Sequence, residues 1–507
     1  MKNIISALFI GCAMLMAGCK KDKGNYDYTT VPLAVIDTAG IGQPRYVERS
    51  QVLDIDPVIR YEGGNINALK YQWLIYPYVV GSAATTPSKV ISNEKRLNVP
   101  IGEKVGEYRL ELVVTDTTNL LKSNTVFTVV VSAGIEYGWI VLHGNSEGSD
   151  VDFMVTANAV PVAGITPKRL RNMYSANVGE KIPGTPRFIA QNRRTNSLAN
   201  WITIASSEQF SRMSGADFSL VRENGAFFRR SEEVIDPQAY MLTSSSNDAL
   251  INNKRLYLFN TTYETDARFG TSVPGDYELA PFMAYMVGFN YPVVVYDQKN
   301  GRFARPASTF GSMIDFNAPA NPATAAFDLR SIGMDMLFMD RGFSSYTHAF
   351  FKSRTGNAYW LYIANFNSSD NGQLAVAKYD MSALPEIASA KFFQTSELGY
   401  VDWYATEDRI YAYDFQTTNT AKVVFSGFPA GEKITAMKVY KPRPNFNLST
   451  VEGRLMYVAT WNGTEGKVYE FALNGISGEI TATPLNTFTG LDKVADMTAK
   501  ARGSGTY

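Results

Sequence analysis

Residues 359–380 read Tyr359-Trp360-Leu361-Tyr362-Ile363-Ala364, then the polar stretch 365–373, then Leu374-Ala375-Val376-Ala377-Lys378-Tyr379-Asp380. Two aromatic and β-branched runs joined by Asn/Gly turn residues predict an antiparallel pair of strands. The same unit recurs on both sides. Downstream, Trp403-Tyr404-Ala405-Thr406 precedes Arg409-Ile410-Tyr411-Ala412-Tyr413-Asp414. Ile434-Thr435-Ala436-Met437-Lys438-Val439-Tyr440 precedes Arg454-Leu455-Met456-Tyr457-Val458-Ala459-Thr460-Trp461, and Gly466-Lys467-Val468-Tyr469-Glu470-Phe471-Ala472-Leu473 closes at a Gly478 turn. Upstream, Trp139-Ile140-Val141-Leu142 is followed by Val151-Asp152-Phe153-Met154-Val155, and Trp201-Ile202-Thr203-Ile204-Ala205 by Asp217-Phe218-Ser219-Leu220-Val221. Arg255-Leu256-Tyr257-Leu258-Phe259 stands alone, and Pro292-Val293-Val294-Val295-Tyr296-Asp297 leads into Gln298-Lys299-Asn300-Gly301-Arg302-Phe303. A strand, a polar turn and a strand ending in Tyr-Asp or Glu-Phe, repeating at about 40 to 60 residues, predict a β-propeller-like domain over 134–507. That length holds roughly six to eight blades, with seven the central expectation. A second and third β-sandwich is the other packing open to these strands. A helical solenoid is not, because 3.6-residue periodicity is weak. Glu386 to Lys391 and Lys493 to Met497 read as short helical turns, and Gly503 to Tyr507 either frays or supplies the closing strand.

The rest of the chain is all-β as well. From Val31 to Ser132 short strands alternate with turns: Leu53-Asp54-Ile55-Asp56, Leu69 to Tyr76 with a central Trp73, Tyr108 to Asp116, and Asn124 to Val131. Their spacing predicts an immunoglobulin-like sandwich over 31–133, with Trp73 filling the core between the sheets.

Composition narrows the function. The chain has 507 residues, 48 basic and 48 acidic side chains, two Cys and two His. Charge balance argues against nucleic-acid binding, which needs clustered Lys and Arg. Two Cys exclude a disulfide scaffold. Aromatic residues make up 13%, with 29 Tyr and 29 Phe, a mix that favours strands. The N-terminus, Met1-Lys2-Asn3 followed by an apolar run to Ala17, is too short to span a bilayer and fits a signal peptide over 1–18. It ends Leu15-Met16-Ala17-Gly18-Cys19 before Lys20-Lys21-Asp22-Lys23, which resembles a bacterial lipobox cleaved before Cys19, with Met16 where Leu is commonest. Cleavage discards Cys12 and makes Cys19 an acylated N-terminus. It leaves 47 basic against 48 acidic residues, no free thiol, and a polar tether over 19–30.

Tyr71-Gln72-Trp73, followed by Gly106-Glu107-Tyr108-Arg109-Leu110-Glu111-Leu112-Val113-Val114-Thr115-Asp116, resembles the PKD (polycystic-kidney-disease-type) pattern, in which a YxW strand pairs with a later GxYxvxLxVtD strand. The Asp-Phe-Gly-Asp-Gly run usual after the Trp is replaced by Leu74-Ile75-Tyr76-Pro77. Together with Cys19 to Tyr28 and Gly138-Trp139-Ile140-Val141-Leu142, the segment up to Leu142 resembles the PKD-like lipoproteins of Bacteroidota. The resemblance implies a surface or periplasmic outer-membrane lipoprotein, accessory to a starch-utilization-type transporter, and no catalytic activity.

Residues able to carry chemistry are sparse. His143 and His348 read as polar residues at blade loops. The carboxylate pairs Asp54/Asp56 and Asp150/Asp152 each share one strand face, and Asp335/Asp340 are more widely spaced. Such pairs suit a Ca²⁺ site or a glycosidase but are ordinary at solvent-facing positions. No metal site and no cofactor are expected. Trp201, Trp360, Trp403 and Trp461 are the candidate ligand platforms, Trp461 foremost because Asn462-Gly463-Thr464 follows it; any one such residue is more often blade core than platform. The polar loops Asn365-Phe366-Asn367 and Asn445-Phe446-Asn447 carry one aromatic each. Two classes of function follow: a membrane-anchored, non-catalytic protein that binds a glycan, a peptide or a partner protein, or a propeller-based polysaccharide lyase or glycoside hydrolase. Two carboxylates about 5 to 9 Å apart in one pocket would favour the enzyme.

Overall fold

The computed structural model describes residues 31–41, 45–78, 87–135, 137–160, 167–192, 201–231, 234–242, 247–260, 266, 268–284, 290–441 and 451–500. Cys19, the tether, Asn445 to Asn447 and Gly503 to Tyr507 lie outside the described residues. The chain forms two compact units. The described residues of one fall within Met1–Gln43, Leu53–Val99 and Arg109–Phe127, and those of the other within Pro44–Val52, Pro100–Tyr108 and Thr128–Tyr507.

The first unit is built on two strand pairs and a larger sheet. Val35–Asp37 pairs antiparallel with Val58–Arg60, and Val52–Ile55 neighbours Leu97–Pro100. The larger sheet runs in the order Lys122–Ser132, Gly106–Asp116, Leu69–Pro77, Lys89–Ser92. Gly106–Asp116 alternates buried and half-buried positions over its second half, as a strand with one face on a core must. Trp73 is fully buried, its ring centroid 5.8 Å from that of Phe127, and its Nε1 donates to the Glu94 carbonyl at 3.0 Å. A buried indole thus has both its apolar body and its one donor accounted for.

The second unit is a seven-bladed β-propeller. Seven sheets follow one another along the chain, and blades 2 to 7 are antiparallel meanders in strict sequence order. Blade 2 runs from Pro186–Asn192 to Leu220–Glu223, blade 3 from Pro237–Leu242 to Arg255–Asn260, and blade 4 from Leu279–Ala284 to Met313–Asp315. Blade 5 runs from Asp335–Arg341 to Ala375–Asp380, blade 6 from Phe392–Thr395 to Thr420–Phe425, and blade 7 from Lys433–Val439 to Asn486–Leu491. Blade 1 is composite: Gly138–Asn145, Gly148–Val155 and Lys168–Leu170 are joined on the inside by the C-terminal strand Lys493–Lys500. The first strand of each blade touches that of the next, and Lys493–Lys500 touches both Pro186–Asn192 and Lys433–Val439, so the ring is closed. Closure covers the two blade faces that a linear array would leave exposed at its ends.

Burial follows from this stacking. A middle strand has a blade on either side, so Gly148–Val155 is buried at all eight positions. An outer strand covers only one face, so Ala375–Asp380 alternates with solvent. Among the described residues no helix is long and apolar enough to cross a membrane.

Several expectations change here. Lys493 to Met497 is part of the closing strand rather than a helical turn. Val494 and Met497 are both buried, three apart, because the ladder with Gly138–Asn145 slips at Leu142/His143 and leaves Ala495 without a cross-strand partner. That bulge imitates a helical spacing in the sequence. Trp201–Ser206 pairs with Phe210–Ser214, and Leu220–Glu223 lies one strand further out, so the partner expected for Trp201–Ala205 is displaced by one. Arg255–Asn260 is not isolated but pairs with Asn247–Asn252. The turn expected over Glu386 to Lys391 is present as a single 3-10 turn, Ile387–Ser389.

Candidate functional site

The titratable residues singled out from the sequence are framework groups. His143 sits within a strand, buried, not at a loop. Its Nδ1 accepts from the Asp492 N–H at 3.3 Å, which leaves Nε2 as the donor to Asp152 Oδ1 at 3.2 Å. Asp150 and Asp152 are buried rather than solvent-facing. Asp150 accepts from the Tyr174 and Ser175 N–H groups at 3.0 and 3.3 Å, holding the first turn of the short helix Met173–Val178. Asp152 accepts from Asn172 N–H at 2.9 Å and from Arg169 Nε at 2.8 Å. Burial alone would raise the Asp152 pKa; the hydrogen bonds from His143, Asn172 and Arg169 outweigh it and hold the carboxyl below its ordinary value.

His348 is likewise on a buried strand, its Nδ1 2.8 Å from Asp402 Oδ2. Asp54 receives Arg96 Nε at 2.8 Å on the surface, and Asp56 lies 4.0 Å from Lys95. Asp335 receives Arg354 Nε at 2.9 Å, and Asp340 receives Lys441 Nζ at 2.8 Å. Among the described residues no group of three or more His, Cys, Asp or Glu is arranged to hold a metal ion.

The tryptophans divide. Trp403 is fully buried between blades 6 and 7, and its Nε1 donates to the Gly478 carbonyl at 2.9 Å. A ring enclosed on both faces cannot stack on a ligand, so Trp403 is core. Trp201 is half-buried beneath the Arg212 guanidinium, 4.2 Å from its ring centroid. Trp360 is half-buried with Lys378 Nζ 5.8 Å above its ring. Trp461 is half-buried at the end of the strand Leu455–Trp461. Phe366, from the first polar loop, is buried core. None of the four tryptophans lines the cleft formed by Phe343, Tyr400 and Ile476.

That cleft, of about 560 Å³, lies where the turns of blades 5, 6 and 7 meet. Its apolar side is made by Phe343, Leu398, Tyr400 and Ile476, and its polar side by Asp414, Thr417, Thr418, Thr420, Lys422 and Ser477. Tyr400 is 45% exposed and Ile476 71% exposed. Tyr400 packs against Phe343 with centroids 4.4 Å apart at 60°, and against buried Phe415 at 6.0 Å and 82°, so its ring is braced from behind. Phe343 is presented by a tight turn in which Ser344 and Ser345 have φ of 59° and 60°, left-handed values that side chains avoid unless the surroundings enforce them. The turn reaches inward through Gly342, where a Cβ would lie 2.4 Å from the His348 ring.

The opposite wall interlocks in the same way. A Cβ on Gly399 would lie 2.8 Å from the Ile476 Cα, and one on Gly475 would lie 2.9 Å from Leu398 Cδ1. Ser396 Oγ donates to the Gly475 carbonyl at 2.5 Å. Asp414 fixes the floor by accepting from Thr417 N–H at 2.9 Å and Thr418 Oγ1 at 3.2 Å. Lys422 is paired with Glu479. The sequence signal for this site is an apolar residue inside a Gly/Ser turn, as in Gly342-Phe343-Ser344, Leu398-Gly399-Tyr400 and Gly475-Ile476-Ser477. Such residues have no strand face to join.

Residues 19–186 match the PKD-like family. This PKD-like segment runs beyond the sandwich and ends at Pro186, where blade 2 begins. Among solved structures, the chain is similar to a quinonprotein alcohol dehydrogenase-like protein of Bacteroides thetaiotaomicron, at 10% identity over 93% of this chain and 100% of that one, TM-score 0.45. It is similar to a DUF4784 family protein of Bacteroides caccae, at 9% identity over 92% and 98% of the two chains, TM-score 0.30. The β-propeller domain of Nup133 from Vanderwaltozyma polyspora matches at 10% identity over 60% and 89%, TM-score 0.32. No curated protein matches the chain.

Proposed function

We propose that the chain is a non-catalytic, lipid-anchored binding protein whose Tyr400 cleft takes a glycan, and that it serves a nutrient-uptake system at the outer membrane. The observation that carries the glycan reading is the braced, exposed Tyr400 facing a rim of hydroxyls, Thr417, Thr418, Thr420 and Ser477, with one carboxylate, Asp414. A sugar ring offers an apolar face to an aromatic and hydroxyls to such a rim. The cleft volume falls within the range of about 300–1,000 Å³ common for small-molecule sites. Supporting the non-catalytic reading, the cleft has a single lining carboxylate among the described residues, whereas hydrolysis of a glycosidic bond commonly uses two.

Tyr400→Ala should weaken oligosaccharide binding about tenfold while leaving the melting temperature nearly unchanged, because the side chain is half exposed. Isothermal titration against a panel of oligosaccharides checks this, and equal affinity in the two proteins would remove the cleft from consideration. The anchoring part rests on the Leu15-Met16-Ala17-Gly18-Cys19 run. Cys19→Ala should release the protein from the membrane fraction and abolish labelling by a clickable fatty acid; a variant that stays membrane-bound and labelled would show that Cys19 is not the anchor.

A further inference from the structure

A second cleft of about 340 Å³ adjoins the first and is lined by Leu398, Arg454, Leu473, Asn474, Gly475 and Ile476. Leu398 and Ile476 belong to both, so the two clefts are consecutive stretches of one groove divided by the Ile476 ridge. Ile476 is 71% exposed, so a ligand lying along both clefts would touch it. Arg454 stands at the far end. Its backbone is fixed, with the N–H donating to the Val451 carbonyl at 3.1 Å and the carbonyl accepting from Leu473 N–H at 2.8 Å. Its guanidinium is exposed and, among the described residues, makes no ion pair. The acids nearby are engaged elsewhere. Glu452, two residues before it, lies 3.8 Å from Arg341, and Glu479 is paired with Lys422. Asp414, in the first cleft, is held by its own turn at Thr417 and Thr418. The groove therefore presents an aromatic platform at one end and, among the described residues, a cation without an ion pair at the other.

We propose that the groove selects an acidic glycan: one sugar ring stacks on Tyr400, the chain crosses Ile476, and a carboxylate-bearing sugar meets Arg454. A guanidinium matches a carboxylate with two parallel N–H bonds, a geometry that no neutral hydroxyl reproduces. This selection rests on the glycan reading of the Tyr400 cleft given above, and the experiment separates the two.

The full soluble chain is titrated with an oligogalacturonide and with a neutral malto-oligosaccharide of equal length, as wild type, Arg454→Gln, Arg454→Lys and Tyr400→Ala. The expected result is about tenfold tighter binding of the acidic chain, reduced to parity by Arg454→Gln and only partly restored by Arg454→Lys. Affinity for the neutral chain falls by less than affinity for the acidic chain in either Arg454 variant. Tyr400→Ala weakens both ligands. The preference also shrinks as salt rises, since Arg454 is exposed. If both ligands bind equally and Arg454→Gln changes neither, the acidic selection is wrong while the glycan site stands. If neither binds the wild type, both readings fall together.

Discussion

A chain truncated after Asp492 is expected to lose the cooperative fold of the whole second unit, not one strand of it. Lys493–Lys500 is the inner strand of blade 1, paired with Gly138–Asn145 along its length. It buries Val494 and Met497 in the core shared by blades 1 and 7. Asp496 ties it to both neighbours, accepting from Ile189 N–H of blade 2 at 3.1 Å and lying 3.0 Å from Lys438 Nζ of blade 7. A row of ladder hydrogen bonds at about 1 kcal/mol each, with two apolar side chains at about 1.5–3 kcal/mol each, approaches or exceeds the roughly 5–15 kcal/mol by which a domain is stable. Removal also takes away the ladder partner of Gly138–Asn145 and leaves that strand an open edge. Calorimetry should show no transition for the truncated chain at the wild-type temperature. Met497→Asp in the full-length chain, which buries an unpaired charge in the same place, should fail in the same way. A truncated chain that melts like the wild type would mean that the seam is held by something other than this strand.

That strand is also where the sequence is hardest to read, for a physical reason. Middle strands such as Trp139 to Leu142 and Tyr359 to Ala364 are sandwiched between blades, so their residues are apolar on both faces and appear as unmistakable runs. Inner strands carry polar residues towards one another and towards neighbouring turns. Asp335–Arg341 and Lys493–Lys500 therefore look mixed, and the Ala495 bulge gives the latter a false helical spacing. Blade number was legible because it depends only on how often the middle strands recur.

The site was far less legible. Trp403, central in Val401–Ala405, and Trp461, last in Leu455–Trp461, sit in strands that look alike in sequence, and only the approach of the Gly478 turn from blade 7 decides that Trp403 is enclosed. Tyr400 and Ile476 are 76 residues apart and form one wall because Gly399 and Gly475 let two turns from different blades touch backbone to backbone. Nothing in either turn alone announces that contact. The histidines misled in the opposite sense. Scarcity and polarity suggested loops, whereas a His with a fixed carboxylate partner is a compact way to satisfy a buried polar pair.

Asp402 supplies the sharpest test of that last point. Its Oδ2 lies 2.8 Å from His348 Nδ1 of blade 5, and its Oδ1 accepts from the Ser396 N–H at 3.1 Å. Ser396 in turn donates through Oγ to the Gly475 carbonyl of blade 7 at 2.5 Å. One carboxylate thus links three blades from a position with no solvent access. Asp402→Ala leaves a buried imidazole nitrogen and a buried N–H without partners, a loss of about 3 kcal/mol and a fall in melting temperature on the order of 5 °C. Asp402→Asn keeps an acceptor for Ser396 and a group able to face Nδ1, so it should cost less than half as much. Because the Gly342 turn rests directly on the His348 ring, the Phe343 half of the aromatic platform should loosen with it. Oligosaccharide affinity of Asp402→Ala, measured well below its melting temperature, should therefore drop several-fold and recover in Asp402→Asn. Loss of affinity in both variants at unchanged stability would instead place the carboxylate charge itself in ligand recognition, and unchanged stability with unchanged affinity would dissolve the proposed link between the blade framework and the cleft.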